Sequence, residues 1–205
     1  MDAADLAHRV LPVLDDLWGA PWARAADDDV AVGSAGALAQ DACLGDAFPE
    51  RDVLHDAEAS FQRVRGDALV HAISTVLRDE PSASLAWSLL AAGEFNECFA
   101  ASVAASVDLD GPIELLGPVS SPTIDGPAQA AGTDVRVATH RARLSAASAE
   151  GLRPITLDVA IVGRGRVVLL VWAATGAEPE AVDGWRDLID ACVRRVATVG
   201  AADGA

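Results

Sequence analysis

Residues 154–173 constrain the fold of this 205-residue chain more than any other stretch. Residues 154–162 and 166–173 are nearly all apolar, with Gly163-Arg164-Gly165 between them. Two runs of strand length around a glycine turn predict a hairpin. A strand with one face in water alternates apolar and polar residues; these two do not, so both of their faces need cover. They are expected as adjacent central strands of an antiparallel sheet. A helix over residues 179–198 supplies part of the cover, with Val182, Trp185, Leu188, Ile189, Cys192 and Val196 on one side. Counting outward from the turn pairs Val162 with Arg166, Ala160 with Val168, Asp158 with Leu170 and Thr156 with Trp172. That register puts Asp158 and Trp172 on one face.

The rest of the chain supplies further strands and helices. Residues 3–18 carry a helix-period stripe of Leu6, Val10, Val13, Leu14 and Leu17, interrupted at Pro12. Residues 58–64 and 68–78 read as two strands around Arg65-Gly66-Asp67, a tripeptide whose match to an integrin motif is taken as chance. Pro81 and Ser82 open a helix, Ser82 as its N-cap, with Leu85, Leu89 and Leu90 at helical spacing. Gly93 breaks it, and an alanine-rich second piece runs to about residue 107. Residues 108–133 contain four prolines and form a long loop, with room for a short edge strand at 113–116. Residues 134–144 alternate like a strand. Strands in antiparallel runs with helices grouped between and after them define an α+β layered domain. The expected division is an N-terminal helix and loop region over 1–42, a core over 43–200 and a disordered tail over 201–205.

Charge narrows the partners. The chain holds 15 basic residues, all arginine, against 31 acidic ones, a net charge of −16. Nucleic-acid binding requires a basic face, and anionic membranes repel such a chain. No apolar run reaches the roughly 18 residues of a membrane span. Residues 1–6 lack the basic and apolar regions of a secretory leader.

Cys43, in Asp-Ala-Cys-Leu-Gly, and Cys98, in Phe-Asn-Glu-Cys-Phe, flank the first hairpin and the leucine helix. The pair reads as a disulfide pinning a helix end to the loop before the sheet. Two buried thiols are one alternative; a metal pair, needing further ligands such as His55 or His71, is another. A disulfide belongs to an oxidising compartment. Cys192, on the apolar stripe of the last helix, reads as a small buried hydrophobe.

The remaining candidates are few. Asp27-Asp28-Asp29 reads as a solvated acidic turn, since it lacks the ligand spacing of a calcium loop. His71 alternates with Leu69 and Ile73 and reads first as a satisfied core residue. His140, beside Arg141 and Arg143, reads as an exposed polar edge. Asp158 needs solvent or a partner wherever it lies. No Gly-x-Ser-x-Gly elbow occurs, and Gly163-Arg164-Gly165-Arg166 joins strands instead of opening a helix, so neither a serine hydrolase nor a phosphate loop is indicated.

The order of these parts resembles a known family. The N-terminal Ala-Asp-Leu helix leads to Asp41-Ala42-Cys43-Leu44-Gly45, a hairpin, and Pro81-Ser82-Ala83-Ser84. Glu97-Cys98, a valine-rich hairpin and a helix with paired arginines follow. The pattern, from Asp2 to Val196, is similar to the PknH-like extracellular sensor domains of actinobacteria and their lipoprotein relatives. The resemblance implies a twisted antiparallel sheet flanked by helices, a disulfide joining Cys43 to Cys98, and a cleft for a small ligand. It also marks a departure: kinase-attached members carry a second disulfide around the C-terminal hairpin, and residues 152–176 hold no cysteine.

The resulting expectation is a non-catalytic, extracytoplasmic sensor or ligand-binding domain without metal or cofactor, anchored or secreted through a segment upstream. Its ligand, neutral or cationic, is expected between the sheet face bearing Asp158, Trp172, Leu170 and His71 and the helices of residues 82–107, rimmed by the loop of 108–133. The alternatives are a hydrolase or isomerase with Asp158 or His71 as general base, and a cytosolic interaction protein or chaperone.

Overall fold

The computed structural model describes residues 2–19, 21–25, 43–64, 68–106, 113–115, 134–148, 151–176 and 180–200. Along the chain run α1 (Ala3–Val10), β1 (Trp22–Arg24), β2 (Val53–Arg63), β3 (Ala68–Leu77), α2 (Glu80–Leu90) and α3 (Gly93–Ser106). β4 (Ile113–Leu115), β5 (Arg136–Ser148), β6 (Gly151–Arg164), β7 (Val167–Gly176) and α4 (Glu180–Gly200) follow. Among the described residues the strands form one seven-stranded sheet in the order β1-β2-β3-β7-β6-β5-β4, each neighbouring pair antiparallel. The α+β class and the sheet-and-helix architecture are those expected. β6 and β7 are adjacent and central, and Val167–Ala173 is buried throughout.

The sheet is covered on both sides. On one face α1 and α4 pack over Phe61, Val70, Ala72, Leu169 and Val171. Trp185, Leu188 and Ile189 of α4 are all buried there, as its periodicity predicts. Gly184 lets α4 approach the Trp18 indole: a Cβ on it would meet Trp18 Cγ at 1.9 Å. Arg195 of α4 binds Asp16, just after α1, at 2.9–3.0 Å, linking the two chain ends. On the other face α2 and α3 pack over Leu157, Ile161, Leu170 and Trp172.

Several local expectations change. α1 ends at Val10, and Leu11, ahead of Pro12, is extended, as a residue before proline prefers. The N-cap of α2 is Asp79, not Ser82; its carboxylate accepts from the Ser82 amide at 2.8 Å, with Pro81 inside the first turn. α2 buries Ala83, Ala86 and Leu90, while Leu85 is 49% exposed. β2 begins at Val53, five residues earlier than its apolar pattern indicates, with a register shift between Val53 and His55.

The β6–β7 turn also moves. Arg164 pairs with Val167 across Gly165-Arg166, and Gly165 adopts the positive φ of +54° that a tight hairpin requires. Asp158 therefore pairs with Ala173, and Val159 with Trp172. The displacement from the expected register is an odd number of residues, which sends Asp158 and Trp172 to opposite faces. His140 is also corrected: it is 8% exposed, on the face of β5 that carries Ala138 and Ala142 under α2 and α3, while Arg141 alternates to the other face. The aspartates 27–29, the tripeptide 65–67, most of the loop 108–133 and the tail 201–205 lie outside the described residues.

Candidate functional site

Cys43 and Cys98 form a disulfide with Cα atoms 5.7 Å apart. Cys98 stands in α3, and Cys43 just before a short helical turn at Gly45–Ala47. The bridge ties α3 to the segment leading into β2. One residue beyond Cys98, Phe99 is fully buried and meets the Trp172 ring edge-on, with centroids 6.1 Å apart. Trp172 in turn lies 5.7 Å from the His71 ring, its cross-strand neighbour. Cys192 is free and buried, and desolvation pushes its thiol up to about 12, far from nucleophilic chemistry.

His71 is the centre of the polar cluster on this face. It pairs across the hairpin with Ser60, and Ser60 Oγ lies 2.7 Å from His71 Nδ1. Two residues back on β2, Glu58 faces the same way, as strand alternation dictates. Its Oε2 stands 3.7 Å from His71 Nε2, beyond hydrogen-bond length. His71 Nε2 and Trp172 Nε1 are buried without a hydrogen-bond partner among the described residues. The His71 side chain is 1% exposed and that of Glu58 54%, so the cluster runs from the core to solvent along β2.

The electrostatics follow burial. Desolvation pulls the His71 imidazole from 6.5 down to about 4, so it is neutral at neutral pH. Glu58 is pushed up, first by partial burial and then by the charge of Asp56. The cluster thus combines a neutral imidazole fixed by a hydroxyl, a solvent-reaching carboxylate under repulsion from its neighbour, and an aromatic wall. It can orient a polar group and compensate a positive charge.

Asp158 belongs elsewhere. It lies on the α1/α4 face, cross-strand from Arg141, and the guanidinium grips it at 2.6 and 3.0 Å. Burial pushes its carboxyl up, and the Arg141 hydrogen bonds and charge oppose this. Trp172, Leu170 and His71 do share a face, but Trp172 and Leu170 are packed under α2 and α3 at 0% and 2% exposure. The sequence pattern did not reveal Ser60, Glu58 or the Arg141 partnership. The first two could have been found by counting across Arg65-Gly66, which pairs Ser60 with His71. Among the described residues no group of three or more His, Cys, Asp or Glu is placed to hold a metal ion.

No family model matches the chain, and no curated protein matches it. Among solved structures, it is similar to the extracellular domain of PknH from Mycobacterium tuberculosis. That likeness has a TM-score of 0.38 and 12% sequence identity, covering 90% of this chain and 80% of the other. It is a weak likeness of fold.

Proposed function

We propose that this chain is an extracytoplasmic, non-catalytic sensor or ligand-binding domain. The observation that carries this reading is the Cys43–Cys98 disulfide. Such bridges persist in oxidising compartments and are rare where the thiol pool is reduced. Here the bridge restrains the helix whose Phe99 packs on Trp172, the ring beside His71, which suits a domain that must keep a recognition face in shape outside the cell. On this reading a small ligand meets the solvent-facing strip of β2 beside His71, while Trp172 and Leu170 form the rigid ground behind it. Asp158 has no part in recognition.

The reading is tested in the organism that makes the protein, from its own locus. A membrane-impermeant carboxyl-directed label applied to intact cells should modify the chain, which offers 31 acidic side chains. Labelling seen only after lysis would overturn the proposed location.

One contact favours a second reading. The Ser60–His71 approach of 2.7 Å is what an acyl-transfer enzyme with His71 as base would need. Against it, an imidazole held neutral down to about 4 is a weak base. Covalent labelling of Ser60 by a fluorophosphonate would favour this alternative over the binding reading.

A further inference from the structure

We propose that Glu58 and the Nε2 edge of His71 form the head of a site for a cationic hydrogen-bond donor, an ammonium or guanidinium group on a small molecule. The inference rests on the binding-domain reading and adds the chemical class of the ligand.

Four observations converge. First, His71 cannot turn Nε2 toward bulk water: the side chain is 1% exposed, Nδ1 is held by Ser60 Oγ at 2.7 Å, and the ring lies beside Trp172. A buried polar atom without a partner is costly, commonly about 1–3 kcal/mol, and such atoms mark places where something else completes the structure. Second, Glu58 Oε2 stands 3.7 Å from that nitrogen, too long for a direct hydrogen bond. When Ser60 takes the Nδ1 proton as acceptor, Nε2 presents a lone pair, and two acceptors then face one point. A single N–H-bearing cation at ordinary hydrogen-bond length, about 2.9 Å from each, bridges a gap of this size.

Third, partial burial pushes the Glu58 carboxyl up, and repulsion from the charge of Asp56, two residues before it on the same strand face, adds to this. A cation relieves this repulsion; an anion would add to it. Fourth, Glu58 keeps 54% of its side chain exposed, so the carboxylate end of the site is reached from solvent. The net charge of −16 concentrates cations around the protein in the same sense.

The test is an NMR titration of the oxidised 205-residue chain, following the His71 ring nitrogens. The probes are agmatine, n-butylammonium, tetramethylammonium and butyrate. The first two should shift Nε2 saturably. Tetramethylammonium, which has the charge but no N–H, and butyrate should not. Glu58→Gln should weaken agmatine binding about tenfold, the value of one lost charge-assisted hydrogen bond. Because Glu58 is solvent-reaching, that variant keeps the fold, which the unchanged remaining spectrum verifies. His71→Asn should lose the same affinity, read from the Glu58 side-chain resonance.

Equal responses to tetramethylammonium and agmatine would mean diffuse charge accumulation and overturn the proposal. So would a Glu58→Gln variant that binds agmatine as well as the parent, or the absence of any saturable shift. If the cations fail while intact cells label the chain, this inference falls and the extracytoplasmic reading stands. If the cations bind but the chain is labelled only after lysis, the reverse holds.

Discussion

Removing Arg141 should cost more at neutral pH than removing its partner Asp158, and the difference should vanish in acid. The Asp158 side chain is 3% exposed and that of Arg141 19%, and the two make paired contacts at 2.6 and 3.0 Å. Taking one partner from a buried ion pair costs about 3–5 kcal/mol when the other charge is stranded. Arg141→Ala strands a carboxylate that cannot reach water. Its escape is to take up a proton, which from an unfolded value near 3.8 costs about 1.4 kcal/mol per pH unit, or about 4 kcal/mol at about pH 7. Asp158→Ala strands a guanidinium on a long stem already partly in solvent, so its cost should be smaller, about 1–3 kcal/mol.

The pH dependence has a definite sign. A carboxyl whose folded pKa is raised binds its proton more tightly in the folded state, so the Arg141→Ala variant recovers stability as pH falls. Urea denaturation read by tryptophan fluorescence at about pH 7 and about pH 4.5 supplies the cycle. Leucine at both positions should come within about 1 kcal/mol of the parent or exceed it, since apolar replacement of a buried pair is often neutral or stabilising. Two single variants within about 0.5 kcal/mol of the parent, or an Arg141→Ala deficit that ignores pH, would refute a buried structural pair.

Three other perturbations probe the staple, the buried imidazole and the helix contact. Cys43→Ser with Cys98→Ser releases a loop of separation 55, and the chain-entropy relation gives a loss of about 4 kcal/mol in urea denaturation; a loss under about 1 kcal/mol would mean that other contacts already hold α3. His71, depressed from 6.5 to about 4, contributes stability that is present above about 6.5 and lost as pH falls toward about 4, on the order of 3 kcal/mol; a His71→Asn variant should lack this decline, and parallel urea-midpoint profiles would contradict the assignment. Gly184→Ala would normally favour a helix, but a Cβ 1.9 Å from Trp18 Cγ should turn the effect into a loss of about 1–3 kcal/mol, and a raised melting temperature would show that the indole does not rest on α4.

The core was legible where burial on both faces leaves a mark. The apolar runs of β6 and β7 fix them at the sheet's centre, and the spacing of Trp185, Leu188 and Ile189 fixes the face of α4. What was hidden depended on turns. Gly163 and Gly165 both invite a hairpin; the choice of Gly165-Arg166 shifts the register and separates Asp158 from Trp172. His140 looked exposed because Arg141 and Arg143 flank it in sequence, yet it shares the face of Ala138 and Ala142, which α2 and α3 cover. In α2 the leucines dominate the sequence pattern, yet Ala83 and Ala86 face the sheet, since a helix laid over Trp172 and Ile161 packs closest through small side chains. The His71–Ser60–Glu58 cluster left no periodic signal, because polar residues on a solvent-facing strand look alike whether or not they touch.

The central claim, a disulfide-stapled domain of an oxidising compartment, is most directly tested by counting thiols. The protein is taken from the cells that make it, with thiols trapped at lysis, and denatured without reductant. The chain has three cysteines. One reactive thiol, Cys192, is expected before reduction and three after, with the peptides of Cys43 and Cys98 joined in the unreduced digest. Three thiols before reduction, from freshly trapped protein, would contradict it.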